Sequence, residues 1–212
     1  EQQDFAISSH TKASQAQKDG KFNEEIVPIG ECNTDGNIRP GSTQEKLDQL
    51  KLAFDPNGTV TAATSSPLTD GAAATIICEE NYAKDNNLDI LGRIISTAVE
   101  GCEPDYMGLG PIGATKKALK RANLSIDQID IFELNEAFAS QSLACIKDLG
   151  INQKKVNIDG GALALGHPLG ATGARITGKV ANLLRRENKK YALSTQCIGL
   201  GMGIATIIET VD

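Results

Sequence analysis

From residue 92 to residue 209 the chain alternates short apolar segments with longer helix-like ones, and this alternation limits the fold more than any other feature. Residues 92–99, 129–134, 155–158, 191–196 and 204–209 read as strands, and residues 111–122, 135–149 and 171–186 read as helices. Pro111 stands near a first helical turn, where its missing N–H does no harm, and Gly150 stands where a left-handed C-terminal glycine belongs. Strands and helices in turn argue for an α/β fold, with helices layered on a sheet. Apolar residues make up 40% of the chain but aromatics only 4%, with no Trp, so the core must be built from Ala, Ile, Leu and Val.

The first part of the chain reads differently. Residues 4–18 form a moderately amphipathic helix ending at Gly20, with His10 on its polar side as a solvated surface residue. Residues 26–60 are rich in Pro and Gly and suggest a covering subdomain, with one short helix over 44–54. Ala72 to Cys78 is a short apolar run without alternation, the pattern of a strand covered on both faces, and a polar helix over 79–86 follows it.

Charge and cysteine usage narrow the function classes. The net charge is −6, and the only basic cluster (Arg185, Arg186, Lys189, Lys190) suits the last turn of a helix, so a nucleic-acid partner is not expected. Cys32, Cys78, Cys102, Cys145 and Cys197 are odd in number and lack C-x-x-C spacing, which argues against a disulfide framework or a metal site and for a reducing compartment. No apolar run approaches the ~20 residues of a membrane span. The opening residues Glu1 to Asp4 are not a signal peptide and lack an initiator Met, as in a fragment or a processed product.

Three motifs carry candidate chemistry. Asn135 heads Asn-Glu-Ala-Phe-Ala between an apolar strand and a helix, a place for an N-cap or for an oxyanion donor. His167 ends Gly-Gly-Ala-Leu-Ala-Leu-Gly-His and precedes Pro168 shortly before a helix; it reads either as a hydrogen-bonded core histidine or as an imidazole set beside helix N–H donors. Cys197 follows a strand and precedes Gly199, Gly201 and Gly203; it reads either as an incidental Cys beside a tight hairpin or as a thiol at a strand end facing a cleft, able to act as a base with modest help. Gly108 to Gly113 matches G-x-G-x-x-G, but no strand precedes it, so a dinucleotide site is rejected in favour of a loop that allows close approach.

Asn135-Glu136-Ala137-Phe138, Gly160 to Pro168 and Cys197-Ile198-Gly199-Leu200-Gly201 resemble, in order and spacing, the three C-terminal signatures of thiolases. Weaker similarity runs through Gly58 to Ala62, Thr69 to Ala74 and Met107 to Pro111, so the resemblance covers nearly the whole chain. It implies a thiolase-like layered α/β/α architecture: residues 1–66 as the end of a loop domain, 67–88 as the closing strand and helix of an N-terminal core domain, and 89–212 as the complete C-terminal domain. It further implies acyl transfer between acyl-CoA and acetyl-CoA by Claisen condensation or thiolysis of 3-ketoacyl-CoA. Cys197 would be the acid/base, His167 would activate the nucleophile and help form an oxyanion hole, Asn135 would hold a water in that hole, and the Gly199 N–H would serve a second hole. Ser66 and Arg39 would contact the pantetheine arm and adenine of coenzyme A, while Phe138 and Met107 would line the acyl pocket. Coenzyme A thioesters enter as substrates, with no metal and no resident cofactor.

The chain departs from the family pattern in several places. A full thiolase is about twice as long, and nothing here matches its nucleophilic cysteine, since Cys32 and Cys78 lie in other contexts. Leu200 stands where a glycine is common, Thr64 where an Asn is common, and Pro67 also differs. The resemblance therefore implies half of a two-step site. Its partners would be acyl-CoA, an N-terminal thiolase half or the rest of the chain, and further copies in a dimer or tetramer. The setting would be cytoplasmic, or an organellar matrix in a eukaryote. The rival reading is a catalytically silent CoA-binding or assembly module.

Overall fold

The computed structural model describes residues 1–211 as a mixed α/β structure that divides into two compact units interleaved along the chain. Residues 1–70 and 134–168 form the first, and residues 71–133 and 169–212 group as the second.

The first unit is organised around helix α1 (Gln2–Lys18). Its buried positions are Phe5, Ala6, Ser9, His10, Ala13 and Ala16, which recur at helical spacing and form a single stripe. His10 lies four residues after Ala6 and three before Ala13, so it belongs to that stripe and is only 7% exposed. This corrects the reading of His10 as a solvated residue. Helix α2 is confined to Gln44–Asp48, where the Thr43 hydroxyl accepts from the Lys46 N–H. Helices α5 (Ala139–Leu149) and α6 (Ala162–Leu165) pack on α1.

Helix α5 begins four residues later than the sequence pattern suggests. The reason is competition for backbone hydrogen bonds: the Ala137 carbonyl accepts from the Ser66 N–H at 3.0 Å, and Ser65 bridges Phe138 in antiparallel fashion. Asn135 to Phe138 are thereby held out of the helix, so Asn135 is not an N-cap. At the other end Gly150 adopts φ 66°, as its position suggests. The strand expected over 155–158 is absent. Residues Gln153–Lys155 form a 3₁₀ turn, and Asn157 takes a left-handed φ of 46°, which no strand accommodates.

The second unit holds a four-stranded sheet in the order β1-β4-β3-β2, with β1 (Arg93–Gly101), β2 (Ile131–Leu134), β3 (Tyr191–Ile198) and β4 (Met202–Glu209). Strands β3 and β4 form a hairpin in which Cys197 pairs with Gly203, and β1 runs antiparallel to β4. Helix α4 (Gly110–Ala122) takes one face of the sheet: the Ser96 hydroxyl donates to the Ala118 carbonyl, and Gly110 lies against Gly203. A Cβ on either glycine would overlap the other's backbone, so glycine at both positions sets how close α4 lies to β4. Helix α7 (Thr172–Arg186) takes the opposite face, where Ile176 and Thr177 meet Ser194, Ile204 and Thr206. Odd-numbered β4 residues thus face α4 and even-numbered ones face α7, as the two-residue period of a strand requires. All of Ile131 to Leu134 is buried, consistent with an apolar run covered on both faces.

A second expected strand does not form. Residues 71–79 have no regular structure and are exposed, Ile76 to 90%, although helix α3 follows at Glu80–Asp85. The apolar pattern at 72–78 favours a strand, but a strand exists only with a ladder partner, and none of the four described strands pairs with this segment. The residues before the G-x-G-x-x-G match form a 3₁₀ turn, Pro104–Leu109, in place of the strand a dinucleotide site needs.

Candidate active site

In the first unit, Asn135 follows directly on the last residue of β2. It is 1% exposed, and neither its Oδ1 nor its Nδ2 has a hydrogen-bond partner among the described residues. Buried side-chain amides are almost always paired, because an unpaired polar group forfeits about 1–3 kcal/mol of solvation. An Asn with both ends open is therefore available to engage a group outside the described residues.

Its neighbour Glu136 is 2% exposed and fully engaged. Ser9 Oγ donates to its Oε2 at 2.6 Å, the Leu163 N–H donates to the same oxygen at 3.1 Å, and Asn157 Nδ2 donates to Oε1 at 2.6 Å. Burial pushes the Glu136 carboxyl above the usual range, while the Ser9, Asn157 and Leu163 hydrogen bonds and the Lys12 charge pull the other way. Asn157 also clamps both backbone groups of Leu134: its Oδ1 accepts from the N–H and its Nδ2 donates to the carbonyl, both at 2.9 Å. Neither Glu136 nor Asn157 was singled out from sequence as part of the site. The available signal was the place of Glu136 next to Asn135, between the segments that form β2 and α5.

His167 is half-buried and follows Gly166, whose φ is 91°. Ser66 is half-buried, and its N–H is the donor to Ala137. Phe138 is half-buried and meets Phe54 edge-on with ring centroids 6.1 Å apart. Arg39 is exposed on the wall of a cavity of about 310 Å³ that His10, Ser42, Lys46 and Ser65 also line. Asn135, His167, Ser66, Phe138 and Arg39 thus share one unit.

His10 Nδ1 accepts from the Arg39 N–H at 3.2 Å, which requires the neutral ring. Burial, and secondarily the Arg39 charge, lower its pKa from the usual value of 6.5. The folded state therefore resists protonation of a group that protonates freely when unfolded. The corresponding stability is present above about pH 6.5 and is lost as pH falls from there towards the lowered folded value. In unfolding titrations between pH 7.5 and 5, the parent is expected to lose stability more steeply than His10→Gln, which keeps an acceptor but cannot titrate. Equal slopes would refute this assignment.

Cys197, Gly199 and Met107 lie in the second unit. Cys197 is the penultimate residue of β3 and is half-buried, further inside the sheet than the sequence pattern suggests. Burial pushes its thiol above the usual value of 9.0, its own backbone N–H opposes that shift, and Cys102 adds to it. The thiol is therefore held protonated, as a proton donor, and less of it is present as the thiolate base than the glycine-rich setting implies. Met107 is 38% exposed within the Pro104–Leu109 turn, and Gly199 is exposed at the head of the β3–β4 turn.

In that turn Leu200 has φ 71° and is 89% exposed. A left-handed Leu is strained by roughly 1–2 kcal/mol, whereas glycine loses roughly 0.5–1 kcal/mol through the freedom of its unfolded chain. Leu200→Gly, which removes no packing, is expected to raise stability by about 0.5 kcal/mol in urea unfolding. A loss of stability would show that the Leu side chain contributes more than its exposure indicates.

The family model described as the thiolase N-terminal domain matches residues 1–81, and that of the thiolase C-terminal domain matches residues 88–210. The chain belongs to the thiolase family. It is 52% identical over 223 residues to a 3-ketoacyl-CoA thiolase of Vibrio vulnificus and 53% identical to one of Aliivibrio salmonicida, covering 99% of this chain and 58% of each relative. The fold matches human mitochondrial 3-ketoacyl-CoA thiolase (TM-score 0.94, 41% identity, all of this chain and 55% of that one). It also matches Bacillus anthracis acetyl-CoA acetyltransferase (TM-score 0.95, 40% identity, 99% and 55%). This thiolase chain thus spans somewhat more than half the length of the relatives it matches.

Proposed function

We propose that this thiolase chain supplies the enolate-handling part of an acetyl-CoA C-acyltransferase, whose nucleophilic cysteine lies outside the 212 residues. The observation that carries this reading is the buried, unpartnered amide of Asn135. In the thiolysis direction, His167 takes the proton of the external cysteine, whose thiolate attacks the 3-keto carbonyl of a 3-ketoacyl-CoA. The bond between the α- and β-carbons breaks, and the electron pair leaves as the enolate of acetyl-CoA. The Asn135 amide, through a water, and the His167 imidazole stabilise the enolate oxygen. Cys197, held as a neutral thiol, delivers its proton to the enolate carbon. The thiol of free CoA then gives its proton to the Cys197 thiolate and takes the acyl group from the enzyme cysteine, which recovers its proton from His167 as the shortened acyl-CoA leaves. The Gly199 N–H serves the tetrahedral intermediate of that transfer.

The cavity beside Arg39 offers two cations, Arg39 and Lys46, to the phosphate-bearing end of coenzyme A, with Ser66 nearby in sequence for the pantetheine arm. By this reading Phe138 contacts the acyl chain. The five cysteines are all free, which supports a cytoplasmic setting, and exposed Ile94 and Val99 on β1 support a homo-oligomer. The likeness to 3-ketoacyl-CoA thiolases favours a role in fatty acid metabolism.

The test joins this chain to the segment of the Vibrio vulnificus relative that it does not span, and measures acetoacetyl-CoA thiolysis. Turnover in the joined protein and none in the chain alone supports the reading. Turnover by the chain alone would show that the nucleophile is already present. Tight CoA binding with no turnover in the joined protein would favour the silent binding module.

A further inference from the structure

We infer that Glu136 is a positioning residue that locks the segments carrying Asn135 and His167 into one rigid piece. The inference rests on the roles proposed above for those two residues. Three stretches far apart in sequence meet at this carboxylate: α1 through Ser9, the Asn135 segment through Glu136 itself, and the glycine-rich segment 160–167 through Leu163. Ser9 Oγ donates to Glu136 and accepts the Gly161 N–H at 3.0 Å, so one hydroxyl links α1 to both active segments. Two of the first N–H groups of α6, which leads into Gly166 and His167, are satisfied by this relay. On the other side Asn157 ties Glu136 Oε1 to both backbone groups of Leu134, the residue before Asn135.

The packing around the carboxylate leaves no slack. A Cβ on Gly161 would overlap the Glu136 carboxyl group, so glycine is required where the second segment passes the first. Lys12 donates to the Val156 carbonyl at 2.9 Å and brings a positive charge towards the site, and the half-exposed Lys21 pairs with buried Asp159 at 3.8 Å. The glycine segment is thus tied to α1 through Ser9 and to the Asn135 segment through Glu136, and the stretch just before it is tied to α1 through Lys12. A network that engages both oxygens of one buried carboxylate with three donors favours a single geometry, which an oxyanion site requires of its donors.

Glu136→Gln keeps the volume but leaves one acceptor oxygen for three donors, so one link must break. Ser9→Ala removes the hydroxyl that links Glu136 to the Gly161 N–H but keeps the carboxylate and its Leu163 and Asn157 donors, and is the milder variant, kept in case Glu136→Gln fails to fold. Two measurements apply. The first uses this chain alone, which has only two histidines, so the His167 ring is readily assigned by ¹H–¹⁵N NMR. The Asn135 side-chain amide and the His167 ring resonances are expected to shift or broaden in both variants, more in Glu136→Gln. The second uses the joined protein: kcat is expected to fall by about 100-fold in Glu136→Gln with KM within twofold, since donor misplacement of about 1 Å acts on the transition state.

Unchanged Asn135 and His167 resonances in the folded variants would overturn the inference, as would a rise in KM with kcat preserved. If the unmutated joined protein is inactive, the functional reading fails while the NMR result still decides whether Glu136 couples the two segments.

Discussion

Replacing Cys197 with alanine is expected to lower thiolysis by the joined protein by about 10²–10⁴-fold, the usual worth of a positioned proton donor. The loss should appear in kcat with little change in KM, because the proton moves only after carbon–carbon cleavage has begun. A pH signature accompanies it. Burial holds the Cys197 thiol neutral beyond its usual value of 9.0, and donation needs the neutral form. Turnover in the thiolysis direction therefore persists as pH rises to that value and declines only above it, and the alanine variant has no such alkaline limb. Full activity in Cys197→Ala would remove the acid/base assignment. The side chain is half-buried near a strand end, so the truncation leaves a small gap, and circular dichroism separates lost chemistry from lost fold.

Asn157→Ala is expected to destabilise the chain by about 3–5 kcal/mol, the largest effect on stability among these predictions. The substitution removes three hydrogen bonds at once. It strands the Leu134 N–H and carbonyl and one donor to the Glu136 carboxylate, all in a site from which water is excluded. Each orphaned buried group costs about 1–3 kcal/mol, and alanine is further disfavoured at φ 46°, which Asn tolerates. Against a total stability of about 5–15 kcal/mol for a protein of this size, the variant sits close to unfolding at 37 °C. Urea titration of the parent and variant chains measures the difference. A loss under about 1 kcal/mol would show that water or backbone relaxation replaces the Asn157 amide.

Both predictions depend on residues that sequence pattern treats unequally. Cys197 is visible because a thiol before three closely spaced glycines is unusual. Asn157 is not, since one polar residue among Lys, Val, Asn and Ile reads as part of a short strand. Its left-handed backbone and its pairing with Leu134, 23 residues away, arise only when the chain is folded. A helix over 135–149, as the pattern suggests, would put Glu136 in its first turn. The pairing of Ser65 and Ser66 with Phe138 and Ala137 moves the helix start to Ala139, and so turns Glu136 inward. His10 could have been read correctly, since it sits on the same stripe as Ala6 and Ala13; its polarity outweighed its spacing.

The sequence by itself determined the elements whose periodicity is local: strands β1, β3 and β4, the helices after Pro111 and Ala171, the glycine that ends α5, and the order of the three motifs that mark a thiolase. These follow from spacing and turn residues within a dozen positions. Tertiary structure alone decided that Ala72 to Cys78 stays unpaired, that Asn135 keeps both amide atoms open, and that Glu136 is shared by α1 and the glycine segment. Each of these depends on which backbone and side-chain groups meet across more than 20 residues of sequence, and hydrogen-bond partners at that range leave no periodic trace in the chain.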